Sequence, residues 1–273
     1  MQENPAMSRR AHPSPVNSQR MPNGARADSE IRMATEVFAK GFAFTRFFTY
    51  PSQAERIGQL WVIRDLLRKR TADYRREEWV AVGEAPAEVD AAARRGTRGR
   101  FAICAICPAG KSDLPLRDAY RSLGYRLGTT EAFMLHRLQG IPRLPSPFPI
   151  RRVLTEELSD KVTKVSGRRQ ILPEHLTKDA PLRLYTALDQ GKPIGWVKSI
   201  AVGSSNWVSN VYVLPSHRRR GIGKSLMAKM LRDDRACGSR QSILLASHTG
   251  ALLYDAVGYE SLGHLLLFTP KKN

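Results

Sequence analysis

Residues 208–231 read VSNVYVLPSHRRRGIGKSLMAKML, and this stretch decides the fold. It begins as a strand: Val208, Val211, Tyr212 and Val213 are β-branched or aromatic. Pro215 ends that pattern, and the period changes after it. Ile222, Leu226, Met227, Met230 and Leu231 fall at the spacing of one helical face. Between strand and helix lies Arg218-Arg219-Arg220-Gly221-Ile222-Gly223-Lys224. A helix N-terminus leaves backbone N–H groups without partners, and its dipole favours negative charge. Glycines at 221 and 223 let an anion approach the backbone, and the arginines and Lys224 add positive charge. The chemistry implied is diphosphate binding. The spacing is neither a P-loop nor a dinucleotide fingerprint.

Outward from this stretch, the second half of the chain reads as a mixed α/β unit. TEELSDKVTKV (155–165) places Leu158, Val162 and Val165 on one helical face. Residues 182–202 form two strands around the turn Asp189-Gln190-Gly191-Lys192. SILLAS is a strand, TGALLYDAV a short helix and HLLLF a last strand. Trp196 and Trp207 read as core. Pro142, Pro145, Pro147 and Pro149 make 141–150 an extended linker. It separates 31–140 from 151–273. Residues 1–30, rich in Pro, Ser, Asn and Arg, read as a disordered lead-in.

A second landmark lies downstream. Leu253-Tyr254 is followed by Gly258-Tyr259. Together with Val211 and Val213 on the strand and Arg218, Gly221 and Gly223 in the turn, it resembles the GNAT superfamily of acyl-CoA-dependent N-acyltransferases. The resemblance covers about 150–273. It implies that acetyl-CoA is the co-substrate and a primary amine the acceptor. It implies that Val211, Tyr212 and Val213 hold the pantetheine arm on a splayed strand. The amides of Arg218, Arg219, Arg220, Gly221, Ile222, Gly223 and Lys224 would hold the diphosphate. Tyr254 would protonate the departing thiolate. Two departures stand out. The strand SSNWVSNVYV (204–213) has no carboxylate where many members place a general base. His248 stands where members often have Asn, and it is a candidate contact or base because its pKa lies near neutral. Glu174 and Asp189 are other candidate bases.

The first half carries a similar pattern. Tyr120, Gly124 and Tyr125 correspond to Tyr254, Gly258 and Tyr259. FFTYPSQAERIGQLWVIRDLL (47–67) parallels VYVLPSHRRRGIGKSLMAKML (211–231), and an offset of 165 sets Gln53 at Arg218 and Gly58 at Gly223. Arg56 stands at the first glycine position, where a long side chain would fill the anion's space. GEAPAEVDAAARRGTRG (83–99) reads as an insertion. The expectation is two tandem GNAT-like mixed sheets flanked by helices, the first a degenerate copy.

Composition narrows the function classes. The chain has 273 residues, 42% hydrophobic and 25% charged, ordinary for a globular protein. No apolar run is long enough to span a membrane. The start lacks the apolar stretch of a signal peptide, so a cytoplasmic location is expected. Three cysteines give no disulfide framework. Cys104 and Cys107 lie on a strand, i and i+3, and so point to opposite faces; they read as structural thiols, and no metal site is expected. The net charge is +19, spread over both halves. It suits an anionic co-substrate, and it leaves open a rival reading as a nucleic-acid- or acyl-CoA-binding module without catalysis.

Overall fold

The computed structural model describes residues 23–70, 73–247 and 250–271. Helix α1 (Asn23–Arg46) comes first, then strands β1 (Ser52–Ile57), β2 (Leu60–Asp65) and β3 (Glu77–Ala81). Helix α2 (Pro86–Gly96), β4 (Phe101–Pro108), α3 (Leu114–Ser122) and β5 (Tyr125–His136) complete the first half. An irregular stretch leads to β6 (Ile150–Arg152), α4 (Glu156–Ser166), β7 (Leu182–Asp189), β8 (Lys192–Val202) and β9 (Ser205–Val213). Helix α5 (Ile222–Ala236), β10 (Gln241–Ala246), α6 (Ala251–Asp255) and β11 (Glu260–Pro270) follow.

The series β1-β2-β3-α2-β4-α3-β5 and β7-β8-β9-α5-β10-α6-β11 share one plan. In each, the first three strands are antiparallel neighbours and the third pairs parallel with the fourth. The halves do not keep separate sheets. Among the described residues, all strands join one mixed sheet of eleven, in the order β1-β2-β3-β4-β11-β5-β10-β9-β8-β7-β6. The final strands are exchanged: β11 pairs with β4 through Gly263–Phe268, and β5 pairs with β10 through Ala132–His136. The two sheets expected from the sequence are thus continuous across an antiparallel β11–β5 seam.

Helices cover both faces. On one face α1 and α4 share a single core that includes Phe38, Trp61, Ile106, Phe133, Val162 and Trp207. On the other, α2 and α3 close a core around Trp79 and Tyr120, and α5 and α6 close another around Leu226, Met230 and Tyr254. Cys104 belongs to the first face and Cys107 to the second, as strand alternation requires, and both thiols are free and buried. The apolar face expected of 155–165 holds at Val162, whereas Val165 is 38% exposed. Asp189 and Lys192 flank a two-residue turn in which Gln190 and Gly191 both have positive φ, as a tight hairpin demands.

Three other expectations shift. The lead-in expected over 1–30 overlaps α1, which begins at Asn23; residues 1–22 lie outside the described residues. Ile31, Ala34 and Phe38 are buried at helical spacing. A helix fixed by those contacts extends backward at little cost, because each added residue closes a hydrogen bond. The linker of 141–150 is irregular only to Pro149, since Ile150 already pairs with Ala187. The alignment of 47–67 with the phosphate-binding stretch fails: Ser52–Ile57 and Leu60–Asp65 are a β-hairpin, and Gly58 serves its turn with φ 60°. The counterpart of α5 is α2, inside the supposed insertion. Pro86 to Tyr120 and Ile222 to Tyr254 are then nearly the same distance along the chain.

Helix α1 belongs to the first half yet packs on β8, β9 and β10 of the second as well as on β1 and β2. The contact is tightest at Gly41, where a Cβ would lie 2.3 Å from Cβ of Trp207. Replacing Gly41 by Leu is expected to destabilise the protein by about 1–3 kcal/mol through overpacking, read as a lower urea midpoint. Among the described residues, no helix is long and apolar enough to cross a membrane.

Candidate functional site

The site grows from a parting of two strands. β9 and β10 pair only through Ser205–Trp207 and Gln241–Ile243. β10 continues along β5 to Ala246, while β9 continues along β8 to Val213. Among the described residues, the β9 edge from Val208 onward therefore has no strand partner on the β10 side. A bulge sharpens the parting. The β8–β9 register slips between Trp196 and Lys198, and Asn210 takes a φ of 53°. The Asn210 side chain is held by Gln170, Nδ2 donating to Oε1 at 2.5 Å. Val211 and Val213 then pack with the α5–α6 core, and Tyr212 stacks on Trp196 on the opposite face.

The basic turn closes the open end of this slot. Arg218 donates from Nε to the Val213 carbonyl at 3.1 Å, tying the turn to the strand end. Arg219 and Gly221 have φ of 65° and 77°. Among the described residues, no hydrogen bond engages the backbone N–H groups of Arg219 to Lys224; the ladder starts where Ser225 donates to the Gly221 carbonyl at 3.0 Å. Arg218, Arg219, Arg220 and Lys224 are exposed around these amides, and a Cβ on Gly221 would meet nothing within 4 Å. Open space, free donors and positive charge at one helix N-terminus fit an anion such as a diphosphate. Gly223 is needed for packing instead, since a Cβ there would press on Leu253 at 3.3 Å. That contact brings α6, and with it Tyr254, beside the turn.

Tyr254 is 8% exposed and burial pushes its phenol up to about 12. It packs edge-on against Tyr259, whose hydroxyl lies 2.7 Å from Ser242 Oγ. Beneath them stands His136, from β5 of the first half. Its Nδ1 accepts from the Leu138 N–H at 2.8 Å, so its proton lies on Nε2, 3.0 Å from the Val257 carbonyl. Burial lowers its pKa and keeps it neutral. The sequence gives no sign of this role, because the strand exchange alone brings His136 under Gly258 and Tyr259.

The candidate bases scatter. Asp189 faces His217 Nε2 at 3.3 Å near the basic turn. Glu174 lies on a cleft between the two halves. His248 lies outside the described residues. Among the described residues, no group of three His, Cys, Asp or Glu is placed to hold a metal ion.

The first half keeps the strand plan without a parting of its third and fourth strands. β3 and β4 pair along the whole of Glu77–Ala81, so no slot opens. In the turn before α2, Glu84 Oε2 accepts from the Val82 N–H at 2.5 Å, placing a carboxylate in the loop that corresponds to the basic turn. Tyr120 is 1% exposed, stacked on Phe268 and edge-on to Tyr125.

Residues 180–261 match the family described as acetyltransferase (GNAT) domain. Among solved structures, the chain is similar to a GCN5-related N-acetyltransferase from Kribbella flavida, at 15% identity and a TM-score of 0.62 over 88% of this chain and 96% of that one. It is also similar to a functionally unknown conserved protein from Staphylococcus epidermidis, at 16% identity and a TM-score of 0.56, over 88% of this chain and 100% of that one. A GCN5-related N-acetyltransferase-like protein from Streptococcus suis gives 12% identity and a TM-score of 0.51, over 90% and 99%. At these identities the likeness is one of fold. No curated protein matches the chain. The segment that carries the parted strands, the basic turn and Tyr254 is thus the segment that matches an acetyltransferase (GNAT) domain.

Proposed function

We propose that the second half transfers an acetyl group from acetyl-CoA to a primary amine, and that the first half is a degenerate copy of the same domain kept as scaffold. The observation that carries this reading is the run of unengaged amides at the start of α5, set at the mouth of the slot between β9 and β10. Acetyl-CoA supplies the activated acetyl group. The amides of Arg219 to Lys224 bind the diphosphate, with Arg218, Arg220 and Lys224 neutralising its charge. The free β9 edge from Val208 to Val213 pairs with the amides of the pantetheine arm, and Val211 and Val213 line the slot. Tyr254 holds its proton on Oη until sulfur departs. Burial that raises a phenol also raises a thiolate formed in the same place, so the proton moves to sulfur as the bond breaks. Water or a residue of the acceptor side takes the proton of the amine.

The test is calorimetric titration of acetyl-CoA, followed by thiol release against a panel of amines. Wild type is expected to bind. Gly221→Glu forces a β-carbon into positive φ and places a carboxylate among the anion-binding amides, so acetyl-CoA affinity is expected to fall about 100-fold or more. Absence of binding by wild type overturns the reading. Salt-sensitive retention on nucleic acid without thiol release would favour the binding-module alternative, which the net charge of +19 keeps in play.

A further inference from the structure

On the α1 face of the sheet a cleft of about 350 Å3 opens between the halves. Its walls are Phe44 near the end of α1, Phe47 and Phe48 just after it, and Leu172, Glu174 and His175 from the loop after α4. Phe48 and His175 stand nearly parallel, 19° apart with centroids at 6.0 Å, and Phe44 lies 5.4 Å from the same imidazole. Phe47 is 50% exposed, an apolar surface left uncovered in the cleft. His175 Nδ1 is buried with no hydrogen-bond partner among the described residues. Of the two charged side chains on the walls, Lys40 is held by Glu36 at 2.5 Å, whereas Glu174 makes no ion pair among the described residues. In a strongly basic protein the free charge of this cleft is a carboxylate set beside aromatic rings. Both attract a cation.

The cleft also adjoins the slot. Gln170, which anchors Asn210 at the β9 bulge, lies two residues before Leu172, a span of at most about 7 Å. Lys198 pairs with Ser209, beside Asn210, and its Nζ lies 5.3 Å from the Phe48 ring. Burial lowers its pKa to about 8. It stands between cleft and bulge.

We propose that this cleft takes an aromatic primary amine, its ring among Phe44, Phe47, Phe48 and His175 and its ammonium at Glu174, and that it is the acceptor pocket of the second half. The last clause rests on the function proposed above; the binding clause does not. On this proposal the first half sets acceptor specificity, because the three phenylalanines come from α1 and the residues just after it.

The experiment is titration of 2-phenylethylamine, with putrescine as the ringless control, into wild type, Phe47→Ser and Glu174→Gln. Both side chains are exposed, so the variants retain the fold, which circular dichroism checks. Acetyl-CoA affinity and thiol release are measured on the same samples. Wild type is expected to prefer 2-phenylethylamine, each variant to lose about tenfold in its affinity, and acetyl-CoA binding to stay unchanged. With turnover, KM for the amine rises in Phe47→Ser while kcat holds. If wild type binds no 2-phenylethylamine, or the variants bind it equally well, the cleft proposal falls whatever acetyl-CoA does. If the amine binds and the variants lose it but acetyl-CoA does not bind, the cleft stands as an amine site and the transferase reading falls.

Discussion

Replacement of Tyr254 by Phe is expected to lower kcat for acetyl transfer about 100-fold, within the range for loss of a positioned general acid. Acetyl-CoA affinity should hold, because the ring still packs against Tyr259 and only the hydroxyl is lost. The pH profile sharpens the test. A group that acts in its protonated form loses activity as pH rises through its pKa. Burial places that limb for Tyr254 at about 12, so no loss assigned to it should appear up to pH 10. Thiol release from pH 6 to 10, with wild type and Tyr254→Phe side by side, checks both points. A Phe variant with wild-type kcat would remove Tyr254 from the proton path and leave it as core.

The second large effect concerns what holds α5 in place. Asp234, near the end of α5, is fully buried, and its carboxylate accepts from Arg183 at 2.8 and 3.0 Å and from Ser199 at 2.7 Å. Arg183 also donates to Asn206 at 3.3 Å. One acidic side chain thereby ties α5 to β7 and β8, and through Arg183 to β9, the strand whose free edge forms the slot. Asp234→Ala leaves the Arg183 guanidinium buried without its counterion, and the expected loss is about 3–5 kcal/mol. Urea denaturation followed by tryptophan fluorescence measures it. Asp234→Asn keeps an acceptor for Ser199 and Arg183 without the charge and should fall between the two.

The second half was legible because its signals are local. A β-branched strand, a proline, a basic glycine turn and a helical stripe follow one another within a short stretch, and α5 buries Ile222, Leu226, Met227, Met230 and Leu231 as the spacing requires. Tyr254 was placed by its neighbours for the same reason. The first half misled through a glycine. Gly58 and Gly221 both adopt positive φ, one to turn a hairpin and the other to start a helix. The residue type reports the torsion and not the element that needs it. LWVI after Gly58 carries the β propensity that settles the matter. Strand exchange left no local trace at all. The alternation of β5 and β11 says that they are strands, and the choice between β4 and β10 as partner depends on contacts far apart in the chain. His136 beneath Tyr259 was invisible for that reason, and the phenylalanines of the cleft because the end of α1 meets the loop after α4 only in the folded chain.

The exchange of β5 and β11 sets an order of assembly. During synthesis β4 emerges long before β11, the strand that will cover its edge, and β10 must find β5 across the whole of the intervening chain. The first half therefore waits as an unfinished sheet with an open, pairing-competent edge until the second half has been made. A protease cut in the proline-bearing stretch between the halves would leave the folded molecule in one piece, because each fragment would be missing from the other's sheet. The two halves are interleaved, each supplying the strand that closes the other's edge.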